Sequence, residues 1–517
     1  MSNDHRRVNE EQLYRRLERY REIVPGSWAR FREIVETPPP VTVWRNAGRI
    51  GHEAFRSWME EYEEVDAHAV PWDDRLYRLT SRRSGEGLKP GNLLAYGAGL
   101  YHIQEEAAAL PVRALRLQPG QRVLDLCAAP GNKSAQMAQQ VGAGGMVVAN
   151  DVSERRLQSA VPTWERLGVT NVVGTVYDGR TFPRVGPVFD AVLVDAPCSG
   201  EGTCRRNPGA LRSPAADFED RLSGTQAALL ERAAELCRPG GRIVYCTCTF
   251  APEENELQVD RFLRSAAGAA VEAEGISVPG IRLTPGITAW QGRALHPGVA
   301  EAVRLWPHEN DTGGFFVAAF RKQSEDAGPR DRRIEAQDGA GDGGALPGSA
   351  PVTPPGHLRP VDADEHLAAL EARFGIDRKE LRTRFRYFQG GNRNLVIADR
   401  SLAPPPELQI RFLGMRFLRT AMATPKLTAE AVPLLSPLVT RNRIDLNAEE
   451  MTAVRRQIEL QVPVARLEVY TGPGFVIAMY RGLAVALTSA GPAGDPGNAG
   501  DTATLKSWYP QGRLGRA

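Results

Sequence analysis

Lysine is almost missing from this chain of 517 residues. It stands only at positions 89, 133, 322, 379, 426 and 506, which leaves arginine as 58 of the 64 basic residues. Each surviving lysine is therefore a place to look for a constraint that arginine fails to meet. Cysteine is scarce as well: there are six, none in a doubled CxxC pattern. That excludes a disulfide framework and a structural zinc site, and it suits a reducing cytoplasm. No stretch approaches eighteen uninterrupted apolar residues, and Met-Ser-Asn-Asp-His-Arg-Arg leads into charged helical sequence with no apolar core. Neither a membrane span nor a secretory leader is expected. Excess charge is lacking too. The formal net charge is +2 with 24% charged residues, so any nucleic-acid footprint must be local. These absences predict a soluble, cytoplasmic, metal-free protein that nothing requires to be more than a monomer. Its length suggests roughly three or four domains at about 150 residues each.

What is present changes in texture along the chain. Residues 1–112 mix Arg/Glu-rich helical stretches with short strand-like pieces such as Val-Thr-Val-Trp-Arg-Asn. From Gln121, short apolar runs alternate with helix-length amphipathic segments, which is the pattern of βα units around a parallel sheet. The runs are Arg122 to Leu126, Met146 to Ala149, Val172 to Val176, Ala191 to Val194 and Arg242 to Tyr245. A closing antiparallel pair is predicted near 300–305 and 315–320, turned by Thr312-Gly313-Gly314. The α/β domain is thus placed at 113–323. A Gly/Pro/Asp/Ala-rich segment, 324–357, reads as a flexible linker. A basic region at 358–460 follows, and then a strand-rich end at 461–517 with Gly and Pro turns.

The first strand of the α/β region runs into Val-Leu-Asp-Leu-Cys-Ala-Ala-Pro-Gly-Asn-Lys-Ser. Small residues at Ala128, Ala129 and Gly131 let the backbone approach a ligand, and a helix starting near Asn132 offers its free N–H groups. With neither GxGxxG nor the Walker lysine spacing, the loop reads as a nucleotide or S-adenosyl-L-methionine (AdoMet) cradle rather than an NAD or triphosphate site. Asp151 closes the second strand, where a carboxylate can accept both ribose hydroxyls, and Asp178 closes the third, within reach of an adenine amino group. An aspartate after a strand is also an ordinary turn former or helix cap. No one of these residues carries the reading alone; their order and spacing do.

Two cysteines end two further strands: Cys198 in Val-Leu-Val-Asp-Ala-Pro-Cys-Ser-Gly, and Cys248 in Ile-Val-Tyr-Cys-Thr-Cys-Thr-Phe. A cytosine ring explains why a methyl-transfer site would need them. Carbon 5 of cytosine becomes nucleophilic only after a nucleophile adds to carbon 6, and a thiolate can both add and leave again. Asp195, beside Cys198, can hydrogen-bond the ring nitrogen, the exocyclic amine or the cofactor's ammonium group.

Together these motifs, with Gln226 and Tyr-Cys-Thr-Cys-Thr-Phe-Ala-Pro-Glu-Glu-Asn-Glu, resemble the Nop/Sun family of RNA cytosine-C5 methyltransferases over about residues 40–322. The resemblance implies a Rossmann-like AdoMet-dependent methyltransferase domain preceded by an N-terminal α+β RNA-binding segment. It also implies Cys248 as the nucleophile and Cys198 as the residue that assists product release. Cofactor contacts are implied at Cys127, Ala128, Ala129, Pro130, Gly131, Asn132, Lys133, Asp151, Asp178 and Asp195. Val-Trp-Arg-Asn and Tyr101 to Glu105 resemble the family's N-terminal segment. Ala-Val-Ala-Leu-Thr-Ser and Leu-Lys-Ser-Trp-Tyr-Pro-Gln-Gly-Arg resemble the end of its bacterial RsmF-type branch, in which a small PUA-like domain follows a linking domain. That branch implies cytosine in the decoding region of 16S ribosomal RNA as substrate. Transfer RNA or another ribosomal RNA is the alternative, and a non-catalytic RNA-binding assembly factor is the reading from another class.

Charge points to RNA independently. From Arg373 through Lys426 twelve Lys/Arg face four Asp/Glu, with Phe385, Tyr387 and Phe388 interleaved, a composition suited as a cluster to phosphate contacts and base stacking. Taken singly, each residue reads better as part of a solvated helix face with core aromatics. Arg205 and Arg206 follow the Cys198 loop and are placed to grip phosphates beside a flipped base. One departure from the family is Cys246, where serine is common. Strand alternation would aim it to the same side as Cys248, unless the strand ends between them. Cys204 and Cys237 are expected to be structural.

Overall fold

The structure is a computed structural model describing residues 16–83, 87–211, 216–323, 352–391, 393–421, 426–491 and 502–508. Its centre is five parallel strands: β1 (Arg122–Asp125), β2 (Met146–Asn150), β3 (Val172–Thr175), β4 (Phe189–Asp195) and β5 (Cys237–Thr247). Every residue of β2 and of β3 is buried, as strands covered on both faces require. β6 (Val303–Leu305) and β7 (Phe315–Lys322) extend the sheet as the expected antiparallel pair, giving the central order β6-β7-β5-β4-β1-β2-β3 within a ten-stranded sheet. Helices Leu110–Ala114, Asn132–Val141 and Val161–Leu167 bury Leu110, Met137, Val141 and Trp164 on one face. Helices Ala216–Leu236 and Glu256–Leu263 bury Leu229, Leu230, Val259 and Phe262 on the other. The strand order reverses between β1 and β4, so a crevice opens at their carboxyl ends, where doubly wound sheets bind ligands.

The N-terminal region is α+β. Strands Val65–Val70, Asp73–Ser81, Val41–Arg45 and Tyr101–Ile103 form an antiparallel sheet in that order, with helix His52–Tyr62 packed against it. Beyond the α/β domain lie two further five-stranded sheets. The first comprises Leu358–Pro360, Phe385–Gly390, Asn394–Asp399, Met415–Arg419 and Lys426–Leu427; the second comprises Arg443–Asp445, Gly474–Tyr480, Leu483–Ala490, Thr502–Ser507 and Leu460–Pro463.

Three features differ from the sequence reading. The last sheet draws in Arg443–Asp445, parallel to Gly474–Tyr480, so it crosses the boundary expected at 460/461. Ile444, Met451 and Val454 find apolar cover only in the cluster that this sheet shares with the N-terminal region. Next, β8 (Ile410–Leu413) leaves the basic region and pairs antiparallel with β3, so the α/β sheet is not closed within 113–323. Finally, Phe385, Tyr387 and Phe388 are 0%, 8% and 2% exposed, which overturns their expected role in base stacking. They alternate into apolar clusters on the two faces of their strand. Of the expected linker, 324–351 lies outside the described residues, while Val352 is buried.

Candidate functional site

The cradle forms where β1 gives way to helix Asn132–Val141. Ala128 N–H donates to the Asn150 carbonyl at 2.6 Å, tying the loop to the end of β2. Gly131 takes φ 91°, and a Cβ there would sit 2.4 Å from Ala160 Cβ, so the turn has room for glycine only. The loop passes through a cis Ala129–Pro130 peptide. Asp151 accepts from Ala129 N–H at 3.1 Å and from Ser153 N–H at 2.9 Å. Asp178 caps the turn Gly179–Thr181 through Arg180 N–H and pairs with the Arg180 guanidinium at 2.5 Å. Both aspartates therefore have structural work and also stand at the rim of the crevice.

Two residues at these strand ends received no role in the reading of the sequence. Asp125 is 1% exposed; Ser134 Oγ donates to its Oδ2 at 2.6 Å, and its Oδ1 is buried without a hydrogen-bond partner. Burial is the main cause pushing its carboxyl pKa up to about 7, against the lowering effect of Ser134. Val152, next to the buried Asp151, is an exposed apolar side chain at 66%. The available signal for Asp125 was its place as the last residue of β1.

Lys133 reaches across the crevice from the first turn of the helix to Asp195 at the end of β4, Nζ to Oδ2 2.7 Å. Burial works against its ammonium, but Asp195 and the sulfurs of Cys246 and Cys248 outweigh it and raise the pKa. Cys246 lies on β5, fully buried, with its thiol donating to Asp195 Oδ1 at 3.3 Å. Burial, followed by Asp195, pushes that thiol well above its ordinary pKa. β5 ends at Thr247, so Cys248 begins the following loop, while still packing beside the apolar cluster that holds Cys246.

There it meets Cys198: the two sulfurs are 3.4 Å apart and each residue is half-buried. The hydrogen bond with Cys248, then burial, raises the Cys198 thiol pKa. Backbone contacts weld the two loops together. Gly202 N–H donates to the Cys248 carbonyl at 2.8 Å, and Ala196 N–H donates to the Cys246 carbonyl at 3.0 Å. Cys204 and Cys237 are buried, and burial pushes both thiols up to about 12. Among the described residues no cluster of histidine, cysteine or acidic side chains could hold a metal ion.

Arg205 corrects its expected phosphate role. It is 6% exposed and donates to the carbonyls of Thr37, Pro38 and Thr312 and to Asp311. Two chain segments, Thr37-Pro38 and Asp311-Thr312, supply these acceptors, and the guanidinium bridges them. Arg206 is exposed.

Known proteins match this architecture. The family profile described as "16S rRNA methyltransferase RsmB/F" covers residues 112–321. The "Ribosomal RNA small subunit methyltransferase F" of Erwinia tasmaniensis is 33% identical over 312 residues, 59% of this chain and 62% of that protein. The "28S rRNA (cytosine-C(5))-methyltransferase" of Mus musculus is 38% identical over 241 residues, 44% of this chain and 29% of that protein. The chain thus spans from under a third to about three fifths of the length of these relatives. Among solved structures, a methyltransferase homolog protein from Pyrococcus horikoshii is 31% identical with a TM-score of 0.53, covering 61% of this chain and 99% of that one. The α/β sheet is accordingly a Rossmann-like methyltransferase fold, and residues 112–321 match the profile of the 16S rRNA methyltransferase RsmB/F family.

Proposed function

We propose that the protein is an AdoMet-dependent RNA cytosine-C5 methyltransferase that forms 5-methylcytosine in the decoding region of 16S ribosomal RNA. The observation that carries this reading is the pair of sulfurs 3.4 Å apart, set beside the Lys133–Asp195 ion pair at the mouth of the cradle. The residues fit the cofactor. Cys127 through Lys133 would hold it with loop and helix N–H groups, Asp151 its ribose, and Asp178 and Val152 its adenine. Asp125, with its orphaned buried oxygen, and Asp195 supply negative charge for its ammonium. When bound, AdoMet supplies an electrophilic methyl carbon.

The chain's own residues prepare the base and release it. The Cys248 thiolate adds to carbon 6, so that the ring electrons gather at carbon 5, and Asp195 with Lys133 orients the ring's polar edge. Once carbon 5 carries the methyl group, Cys198 in its thiolate form accepts the carbon 5 proton, and the C–S bond to Cys248 breaks as the ring double bond re-forms. The N-terminal sheet and the two C-terminal sheets, the last as a PUA-like domain, hold the RNA. Exposed Arg206, Arg393, Arg411 and Arg419 are available to its phosphates.

Cys248→Ala is expected to abolish methyl transfer to 16S RNA. Cys198→Ala is expected to trap a covalent protein–RNA adduct that survives denaturing electrophoresis. An adduct with Cys248→Ala instead would reverse the two roles. Bisulfite sequencing of total RNA with and without the gene tests the substrate: a lost 5-methylcytosine in transfer RNA, with 16S RNA unchanged, overturns the ribosomal assignment. Failure to bind AdoMet in calorimetry would favour a non-catalytic RNA-binding factor.

A further inference from the structure

The two sulfurs lie on loops whose sequence positions are fifty residues apart, and their spacing depends on what grips those loops from behind. Two consecutive buried residues do so. Glu254 is 2% exposed and Asn255 is 0% exposed. Both precede helix Glu256–Leu263 and are tied to β5 where the Tyr245 hydroxyl donates to the Glu254 carbonyl at 2.6 Å. From there the side chains part. Glu254 Oε2 accepts from Ser199 N–H at 2.9 Å, immediately after Cys198, and from Gln226 Nε2 at 3.0 Å. The same Gln226 amide donates to the Pro197 carbonyl at 2.9 Å, immediately before Cys198. Asn255 takes the other loop: Thr247 Oγ1 donates to its Oδ1, and its Nδ2 donates to the Thr249 carbonyl at 3.0 Å, so it holds both neighbours of Cys248. Ser199 and Thr249 are also joined directly, hydroxyl to hydroxyl, at 2.7 Å.

We propose that Glu254 and Asn255 are positioning residues that fix the separation of the Cys198 and Cys248 sulfurs, one side chain holding each loop. Neither is offered as touching substrate; each acts through the backbone flanking a thiol. Losing a buried or half-buried hydrogen bond of this kind leaves a donor or acceptor unpaired and frees the loop that it held. The catalytic consequence rests on the function proposed above, whereas the geometric claim does not. The two therefore separate experimentally.

The test reads thiol spacing directly. Full-length reduced protein is mixed with diamide, and the Cys198–Cys248 disulfide is followed by peptide mass spectrometry. The two thiols lose their hydrogens to the azo group, which becomes a hydrazine, as the S–S bond forms. Glu254→Ala and Asn255→Ala should slow closure at least about tenfold, and should lower kcat for RNA methylation by a similar factor with KM little changed. Glu254→Gln keeps an acceptor oxygen for Ser199 N–H and should restore closure toward the native rate. Asn255→Asp preserves volume and the acceptor for Thr247 but loses the donor to Thr249. It should be slow even if the alanine variant does not fold. Native closure rates in folded Glu254→Ala and Asn255→Asp would overturn the proposal. So would a Glu254→Gln protein as slow as Glu254→Ala. Slowed closure in a protein that methylates no RNA would leave the clamp standing and remove the function; unaltered closure with active methylation would do the reverse.

Discussion

Asp125 shows how much a single buried oxygen can decide. Its side chain sits at the end of β1 with one oxygen bonded to Ser134 and the other orphaned, and burial raises its pKa from 3.8 to about 7. A carboxyl raised on folding stabilises the fold fully below its unfolded pKa and loses that contribution as pH rises through the folded one. The melting temperature of the wild type relative to Asp125→Asn should therefore fall between about pH 4 and pH 8. A difference constant with pH would show that Asp125 titrates normally. A bound ammonium should favour the carboxylate, so AdoMet affinity should increase with pH over the same range. The aspartate was plain in the sequence, but its missing partner was not, because hydrogen-bond satisfaction depends on the residues that close around it. Cys246 is the same case. Its spacing from Cys248 suggested a second thiol on the same side, and only the fold shows it buried on β5 and bonded to Asp195.

At the scale of elements, the five parallel strands were legible because each is a short apolar run followed by a loop and a helix-length segment. β8 was not. Its four residues, Ile410–Leu413, carry no signal that separates an added edge strand from any short apolar run, and its partner lies more than 230 residues away in sequence. Gly174 in β3 faces it, and a Cβ there would lie 2.8 Å from the Phe412 ring. The loops that carry the thiols depend on a similar close approach. A Cβ on Gly202 would lie 2.2 Å from the Gly314 carbonyl oxygen and 2.9 Å from that of Cys248. Both obstacles are backbone, so Gly202→Ala must push the Cys248 loop away. We expect methyl transfer to fall by about a hundredfold, the scale of an ångström's misplacement at a reacting centre. Steady-state kinetics with the proposed 16S RNA substrate measures it, and a rate within twofold of wild type would mean the loops adapt.

Across the whole molecule the chain closes on itself. Residues from the basic region, Leu358, Phe388, Val396 and Ile410, join the apolar cluster beneath the α/β sheet, while the last sheet shares a core with the N-terminal one. Tyr480 packs edge-on against Trp58 at 5.7 Å and against Tyr62 at 5.8 Å, and is 5% exposed. Tyr480→Ala should destabilise the protein by about 3 kcal/mol and separate unfolding of the last sheet from the rest. Chemical denaturation followed by two probes tests this; coincident transitions at the native midpoint would argue against a shared core.

The sequence by itself determined which side chains stand where strands hand over to loops. The positions of the cysteines and aspartates at those strand ends follow from side-chain type and local period, and local order is what a sequence records. The tertiary structure decided the distances. It set the 3.4 Å between two sulfurs, sent Cys246 to Asp195 rather than to the loop, and spent Arg205 and the interleaved aromatics on burial. Those outcomes depend on strand order and on which segments meet across the sheet, contacts that no local pattern encodes.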